Sequence, residues 1–153
     1  MNDTELLQDL LSEEAALRQS ATQGLWEFWF SQAGEEAESR IRQGTRLMDM
    51  HQYPQAQEMF ENLVSDYPQF AEAHNKLATV FYMQRKYSPS IEECEITLKL
   101  NPNHFGAWNG HGLCLFQVAR YPEAIKSFQT AAKLQPYAEF NKIYIAKCRG
   151  QLN

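Results

Sequence analysis

The strongest constraint on the fold of this chain is an internal repeat of 34 residues. Residues 37–70, 71–104 and 105–138 align without a gap, and the aligned positions agree in physical type. Six columns show this agreement: Gly44, Ala78 and Gly112; Leu47, Phe81 and Leu115; Tyr53, Tyr87 and Tyr121; Ala56, Ser90 and Ala124; Phe60, Cys94 and Phe128; Pro68, Pro102 and Pro136. Self-similarity at this period indicates a stack of supersecondary units rather than one globule.

Each block has the pattern of two amphipathic helices joined by a short turn. In the third block, Trp108 and Leu115 recur at helical spacing, and a turn is predicted at residues 119–121. Pro122 suits the start of the second helix because its fixed φ and missing N–H do no harm there. Pro136 marks the end of that helix. One helix pair cannot bury its own apolar face, so neighbouring pairs are predicted to stack.

The third block resembles the tetratricopeptide repeat. The matching positions are Trp108, Gly112, Leu115, Tyr121, Ala124, Phe128, Ala131 and Pro136. His111 stands where that pattern usually has leucine, and the first two blocks depart from it at more positions, among them Arg40 and Cys94. The resemblance covers the three blocks of 34 residues, 102 of 153. It implies an all-α fold, a right-handed α-solenoid of three helix pairs with N-terminal helices and a C-terminal capping helix at residues 139–153.

Residues 1–36 form an acidic segment, which we predict to be helical and to act as a half-repeat or a cap. It carries eight acids and one base on a chain whose net charge is −5. Leucines at helical spacing predict an amphipathic helix over residues 4–20, followed by a turn at residues 20–24. The segment would serve either as an outer cap or as a mobile acidic arm that occupies the groove until a partner displaces it.

An aromatic-rich helix is predicted at residues 25–32. In the 34-residue frame, Trp26 falls in the column of Phe60, so this helix is predicted to cover block one. Residues 25–30, together with residues 103–108, resemble a family of small repeat proteins from bacteria and plastid-bearing organisms. The aromatic side chains are either core residues or an exposed self-association surface formed by Trp26, Phe28, Trp29 and Phe30.

Composition and motifs argue against several other classes of function. The body of the chain is close to neutral, without the basic stripe that nucleic-acid binding requires, and no apolar stretch approaches the roughly 20 residues of a membrane helix. His104, His111 and Cys114 form the best candidate metal cluster, but they are too few for a zinc site. Three cysteines cannot form a closed disulfide set. We expect a protein without cofactors in the cytoplasm, with the stroma of a plastid-bearing organism left open.

The first helix of each pair is expected to line a concave groove, which is the usual ligand surface of the resembled family. We predict a peptide-binding site there, formed by Asn75, Thr79, Tyr82, Met83, Asn109, Leu113 and Phe116. Asn75 and Asn109 recur at the same place in successive blocks, and an amide can pair with a peptide backbone. The same columns place Glu72 on this face. The alternative is that these side chains only face water.

The carboxylate clamp, with which some tetratricopeptide repeats hold acidic chaperone tails, is not supported by this sequence. Its cation positions hold Ile41, Gly106 and Gly110, with only Lys76 and Asn75 nearby. A terminal carboxylate needs a ring of cations.

Two functions from different classes follow from the sequence. The first is a non-enzymatic adaptor that binds a protein or peptide segment of unknown identity in the concave groove. The alternative is a structural protein that forms homo-oligomers through its N-terminal aromatic surface. An enzyme that uses the histidines and Cys114 is a third and weaker hypothesis, because no nucleophile–base motif or phosphate loop accompanies them.

Overall fold

The computed structural model describes residues 3–153, and every regular element in that range is an α-helix. The helices are α1 (Asp3–Asp9), α2 (Ala15–Ser31), α3 (Glu35–Asp49), α4 (Tyr53–Asp66), α5 (Ala71–Met83), α6 (Tyr87–Leu100), α7 (Phe105–Gln117), α8 (Tyr121–Leu134) and α9 (Glu139–Leu152). Residues 1 and 2 of the predicted N-terminal segment lie outside the described part of the chain.

The three sequence blocks correspond to the helix pairs α3–α4, α5–α6 and α7–α8. From α3 to α9 each helix packs against the next, and α5 also contacts α3 and α7, so the first helices of the pairs form one continuous layer. The second helix of each pair lies behind that layer, and α9 packs against α8. This arrangement confirms the predicted all-α solenoid of helix pairs.

A small residue facing a large one brings the two helices of each pair together. A Cβ atom added to Gly112 would lie 2.8 Å from the ring of Phe128, and one added to Gly44 would lie 2.5 Å from the ring of Phe60. In the second pair the column holds Ala78, and the ring is replaced by the shorter side chain of Cys94.

The turn inside each pair is built in the same way three times. His51, Arg85 and Ala119 lie 34 residues apart and have left-handed φ angles of 59°, 62° and 63°. The backbone N–H of the next residue donates to the carbonyl of Leu47, Phe81 or Leu115, in each case at 2.9 Å. These bonds satisfy carbonyl groups that the helix end leaves without a partner, as in a Schellman motif.

The N-terminal helices differ from the sequence prediction in where the chain bends. The turn predicted at residues 20–24 is wrong, because α2 continues through it and the break lies at residues 10–14. There the backbone N–H of Glu14 donates to Ser12 Oγ at 3.1 Å, and the Ser12 carbonyl accepts from Arg18 at 2.9 Å. Gly24 serves packing rather than turning, since an added Cβ would lie 3.1 Å from Leu6 of α1.

We expect Gly112→Ala to lower the free energy of unfolding by about 1–3 kcal/mol, because the new methyl group would press on the Phe128 ring. Gly150→Ala is the matched control. Gly150 lies in a helix with no atom within 4 Å of an added Cβ, so alanine there should be neutral or stabilising by up to about 1 kcal/mol. Urea unfolding of both variants measures the difference. Equal stabilities would contradict the repeat alignment.

Candidate functional site

A slot lies between α5 and α7 on the layer of first helices, with α6 as its floor. Its volume is about 230 Å³. We call it the α5–α7 slot, and its lining residues are Asn75, Ala78, Thr79, Tyr82, Ser90, Cys94, Gly106, Asn109, Gly110 and Leu113. Five of the seven residues predicted for the groove line it, namely Asn75, Thr79, Tyr82, Asn109 and Leu113.

The other two predicted groove residues lie outside the slot. Met83, at the last turn of α5, is 46% exposed. Phe116 is half-buried, and its ring meets those of Tyr121 and Tyr144 edge to face at 5.5 and 5.4 Å between centroids. Phe116 therefore helps to join α7 to α8 and α9, in addition to any contact with a ligand.

Glu72 is turned inward, which corrects its placement on the open groove, and Asn75 lies beside it at the edge of the slot. The Glu72 side chain is fully buried, and Asn75 is only 6% exposed. The Asn75 amide donates from Nδ2 to Glu72 Oε1 at 3.2 Å. Asn75 thus supports a buried carboxylate at the edge of the slot.

The second partner of Glu72 is His104, in the loop before α7. His104 Nδ1 accepts the backbone N–H of Ala107 at 3.0 Å, so Nε2 carries the ring proton and donates to Glu72 Oε2 at 2.6 Å. The imidazole therefore caps the N-terminus of α7 and at the same time holds α5. Glu72 lies in the first turn of α5, where the helix dipole favours a negative charge.

Helix α2 covers this buried pair. The Trp29 ring stacks on the His104 ring with 4.2 Å between centroids, and Trp26 meets the same ring edge-on at 5.3 Å. Trp29 also packs against Phe105 at 5.1 Å. The half-repeat interpretation places these tryptophans over block one, whereas the structure places them at the junction of blocks two and three.

Trp26 packs against Gly106, the first residue of α7 that lines the α5–α7 slot. A Cβ atom added to Gly106 would lie 2.8 Å from the Trp26 ring, so only glycine leaves room for it. The Lys76 ammonium group lies 5.8 Å from the centre of the Trp26 ring and 5.3 Å from that of Phe30. The cation nearest to the clamp positions is therefore engaged with aromatic rings of α2.

The aromatic surface required by the homo-oligomer alternative is packed within the chain. Trp29 is 1% exposed, and Trp26 and Phe28 are half-buried in the same cluster as Leu25. Phe30 is half-buried against the core of the first pair. Trp29 is therefore a core residue, whereas Trp26, Phe28 and Phe30 pack within the chain and keep part of their surface exposed.

The candidate metal or catalytic cluster is not assembled, because each member has a separate structural partner. His104 is held by Glu72, as described above. His111 bonds through Nδ1 to Ser127 Oγ at 2.7 Å, and its Nε2 lies 3.2 Å from Glu95. The Cys114 thiol donates to Ser90 Oγ, and burial raises its pKa. Within residues 3–153, no three His, Cys, Asp or Glu side chains form a group that could hold a metal ion.

The comparison with known families agrees with this architecture. Residues 49–131, which are 83 of 153, match the family model described as "Anaphase-promoting complex, cyclosome, subunit 3". The chain belongs to this family of tetratricopeptide repeats. The membership confirms the repeat architecture that the sequence columns predict.

Other tetratricopeptide repeat proteins are similar to this chain in sequence. Small glutamine-rich tetratricopeptide repeat-containing protein 2 of Mycosarcoma maydis is 24% identical over 118 residues, which are 77% of this chain and 34% of that protein. The chain therefore spans about a third of the length of this relative.

Two solved structures share the fold. The first TPR of Spaghetti (RPAP3), bound to the HSP90 peptide SRMEEVD, has a TM-score of 0.74 and 17% identity, covering 76% of this chain and 92% of that one. The TPR2B domain of yeast Sti1, in a complex with pHsp70, has a TM-score of 0.71 and 16% identity, covering 75% and 97%. In the part of the chain that the structure describes, no helix is both long and apolar enough to span a bilayer.

Sequence reasoning missed the pairing of Glu72 with His104, which are 32 residues apart. We expect His104→Ala to lower the free energy of unfolding by about 3–5 kcal/mol, because the Glu72 carboxylate would lose its principal donor while remaining buried. The α7 cap would be lost as well. Chemical denaturation measures the loss, and His51→Ala, which changes an exposed histidine, is the control. A loss no larger than that of the control would show that the pair contributes little.

Stability should depend on pH through His74. Burial by itself lowers the pKa of His74, but hydrogen bonds to Glu93 (2.7 Å) and to the Pro68 carbonyl (2.9 Å) outweigh it and raise the pKa above the ordinary 6.5. The stabilisation that protonated His74 contributes to the folded state is fully present below pH 6.5, and it is lost as the pH rises through the higher folded-state pKa of His74.

Unfolding of the wild type at about pH 5 and about pH 8 measures this dependence. Glu93→Gln should flatten it, because glutamine cannot stabilise the imidazolium charge. An unchanged slope in the variant would mean that another group is responsible.

Proposed function

We propose that this chain is a non-enzymatic adaptor that binds an uncharged segment of a partner protein over the α5–α7 slot. The observation that carries the proposal is the chemistry of that slot. It lies on the layer of first helices, no charged side chain lines it, and two aligned amides stand on its two walls. The proposed ligand contacts are Asn75, Thr79, Tyr82, Asn109 and Leu113 in the slot, together with Met83 and Phe116 outside it.

The fold relatives support the class of function but not the same ligand. The first TPR of Spaghetti is bound to SRMEEVD, a peptide with three acidic side chains, of which the last belongs to its C-terminal aspartate. In the present chain the corresponding cation positions hold Ile41, Gly106 and Gly110, and Lys76 lies over the rings of α2. The carboxylates of an acidic tail would lose their hydration on binding here, and no ring of cations would replace it. The expected partner segment is therefore neutral.

Asn109 is the groove residue best placed to contact a ligand backbone. Its Oδ1 atom is buried and has no hydrogen-bond partner, although its helix turn lies on the slot wall. A buried acceptor without a donor is costly, and a ligand N–H would satisfy it after a rotation about χ2. Asn75 differs, because its amide already supports Glu72.

The test begins with a display library of unstructured peptides selected on the full chain. A selected peptide should perturb the NMR amide signals of residues in the slot, and Asn109→Ala should weaken its binding about threefold to tenfold, the equivalent of one hydrogen bond. The stability of the variant should not fall, because the removed oxygen has no partner.

Asn62→Ala is the matched control, since Asn62 is an exposed asparagine on α4, away from the slot. Isothermal titration calorimetry should show wild-type affinity for this control and much weaker binding of SRMEEVD than of the selected peptide. Signals that move only on the second-helix layer, or equal binding of SRMEEVD, would overturn the proposal.

A further inference from the structure

The α5–α7 slot exists because the second repeat departs from its neighbours at one column. In the first and third repeats this column holds Phe60 and Phe128, whose rings are fully buried against glycine in the same pair. In the second repeat it holds Cys94, opposite Ala78, and both line the slot. Cys94 has no ring to fill this space, and the methyl group that Ala78 has in place of glycine does not fill it.

The facing wall is opened by a second feature of the sequence, the glycines of α7. A Cβ atom added to Gly110 would meet only Cys94 Sγ, at an ordinary contact distance of 3.6 Å. Gly106 lies one turn earlier on the same wall, and its lack of a side chain makes room for the Trp26 ring. The slot is therefore bounded by Cys94 on its floor and by Gly110 on its wall. At the position of Cys94, the other two repeats have a phenylalanine ring.

The hydroxyl groups that line the slot already have hydrogen-bond partners, which for Tyr82 is the side chain of Gln117. Thr79 Oγ1 donates to the Asn75 carbonyl at 2.9 Å, and Ser90 Oγ donates to the Ala78 carbonyl at 2.7 Å. Burial raises the pKa of Cys94, so this thiol stays neutral. What the interior presents to an occupant is therefore almost entirely apolar, and it offers little to an ordered water, which needs two to four polar partners.

The volume of the slot suits a single side chain. An apolar cavity of about 150 Å³ is large enough to bind benzene, and this slot measures about 230 Å³. It therefore has room for a phenyl ring or for the side chain of leucine, isoleucine or methionine. It is too small for a folded element.

We propose that the α5–α7 slot binds one large apolar side chain of the partner segment, with the Asn109 amide pairing with the adjacent peptide backbone. This inference rests on the proposed function and specifies the residue that the partner must supply. The slot should prefer an apolar side chain because its own lining is uncharged. It provides no charge to balance a carboxylate or an ammonium group, and burying either without a partner is strongly unfavourable.

The decisive variant restores the small-against-aromatic pair of the other repeats. Ala78→Gly combined with Cys94→Phe should fill the slot with a ring while giving the second repeat the same pair as Gly44 with Phe60 and Gly112 with Phe128. Ala78→Gly alone is the control, because it leaves the slot open. Gly110→Leu is an independent filling variant, whose Cβ atom has ordinary contact distance to Cys94.

The probes are N-acetyl-leucine amide, N-acetyl-phenylalanine amide and N-acetyl-aspartate amide, titrated into the full chain and followed by the NMR signals of Gly106 and Gly110. The first two probes should shift these signals in the wild type and in the Ala78→Gly control, and the aspartate probe should not. In either filling variant the shifts should be lost, as followed at Gly106 in both variants and also at Gly110 in the double variant, which keeps this glycine. Equal shifts from all three probes, or shifts that persist in the filled proteins, would overturn the inference.

The selected peptide separates this inference from the function on which it rests. Replacing its single large apolar residue with alanine should weaken binding at least tenfold, and the filled proteins should bind the original peptide at least tenfold more weakly. A peptide that binds over the slot but is insensitive to both changes would overturn the anchor and leave the adaptor function standing. A chain that binds no peptide would overturn both.

Discussion

The close approach of two helices within each pair is the constraint on which the rest of the structure depends. Gly44 and Gly112 allow the rings of Phe60 and Phe128 to reach the backbone of the facing helix, and those rings form the centres of two core clusters. In the second pair, Ala78 and Cys94 keep the helices together without a ring. A repeat protein transmits such contacts only to its neighbours, so a local exception is tolerated and leaves a slot rather than a collapsed core.

The buried pair of Glu72 and His104 joins this solenoid to its N-terminal segment. A carboxylate with no exposure needs donors, and here they come from the imidazole of His104 and the amide of Asn75. Trp29 shields the imidazole from water by stacking on it. These contacts hold α2 at the junction of the second and third repeats, where Trp26 also packs against Gly106.

Much of the fold was predictable because its signals are local. The columns of glycine, tyrosine and proline predict the three pairs, and the helical pattern after residue 138 predicts the position of α9. The N-terminal bend was not predictable, because a glycine that admits a neighbouring helix, such as Gly24, looks the same in sequence as a glycine in a turn. Five of the predicted groove residues, Asn75, Thr79, Tyr82, Asn109 and Leu113, line the slot, whereas the contact of Asn75 with Glu72 was not predicted, and peptide binding by these residues stays a prediction.

The sequence by itself determined the repeat and its helix pairs, since both follow from residue types at fixed spacing. Only the tertiary structure decided where α2 lies, which polar groups are already engaged, and that the exchange of phenylalanine for Cys94 opens a cavity. These depend on surfaces from distant parts of the chain, such as Trp26 against Gly106, 80 residues later. The periodicity of the sequence does not predict which of these surfaces contact each other, because their contact is decided by packing in three dimensions.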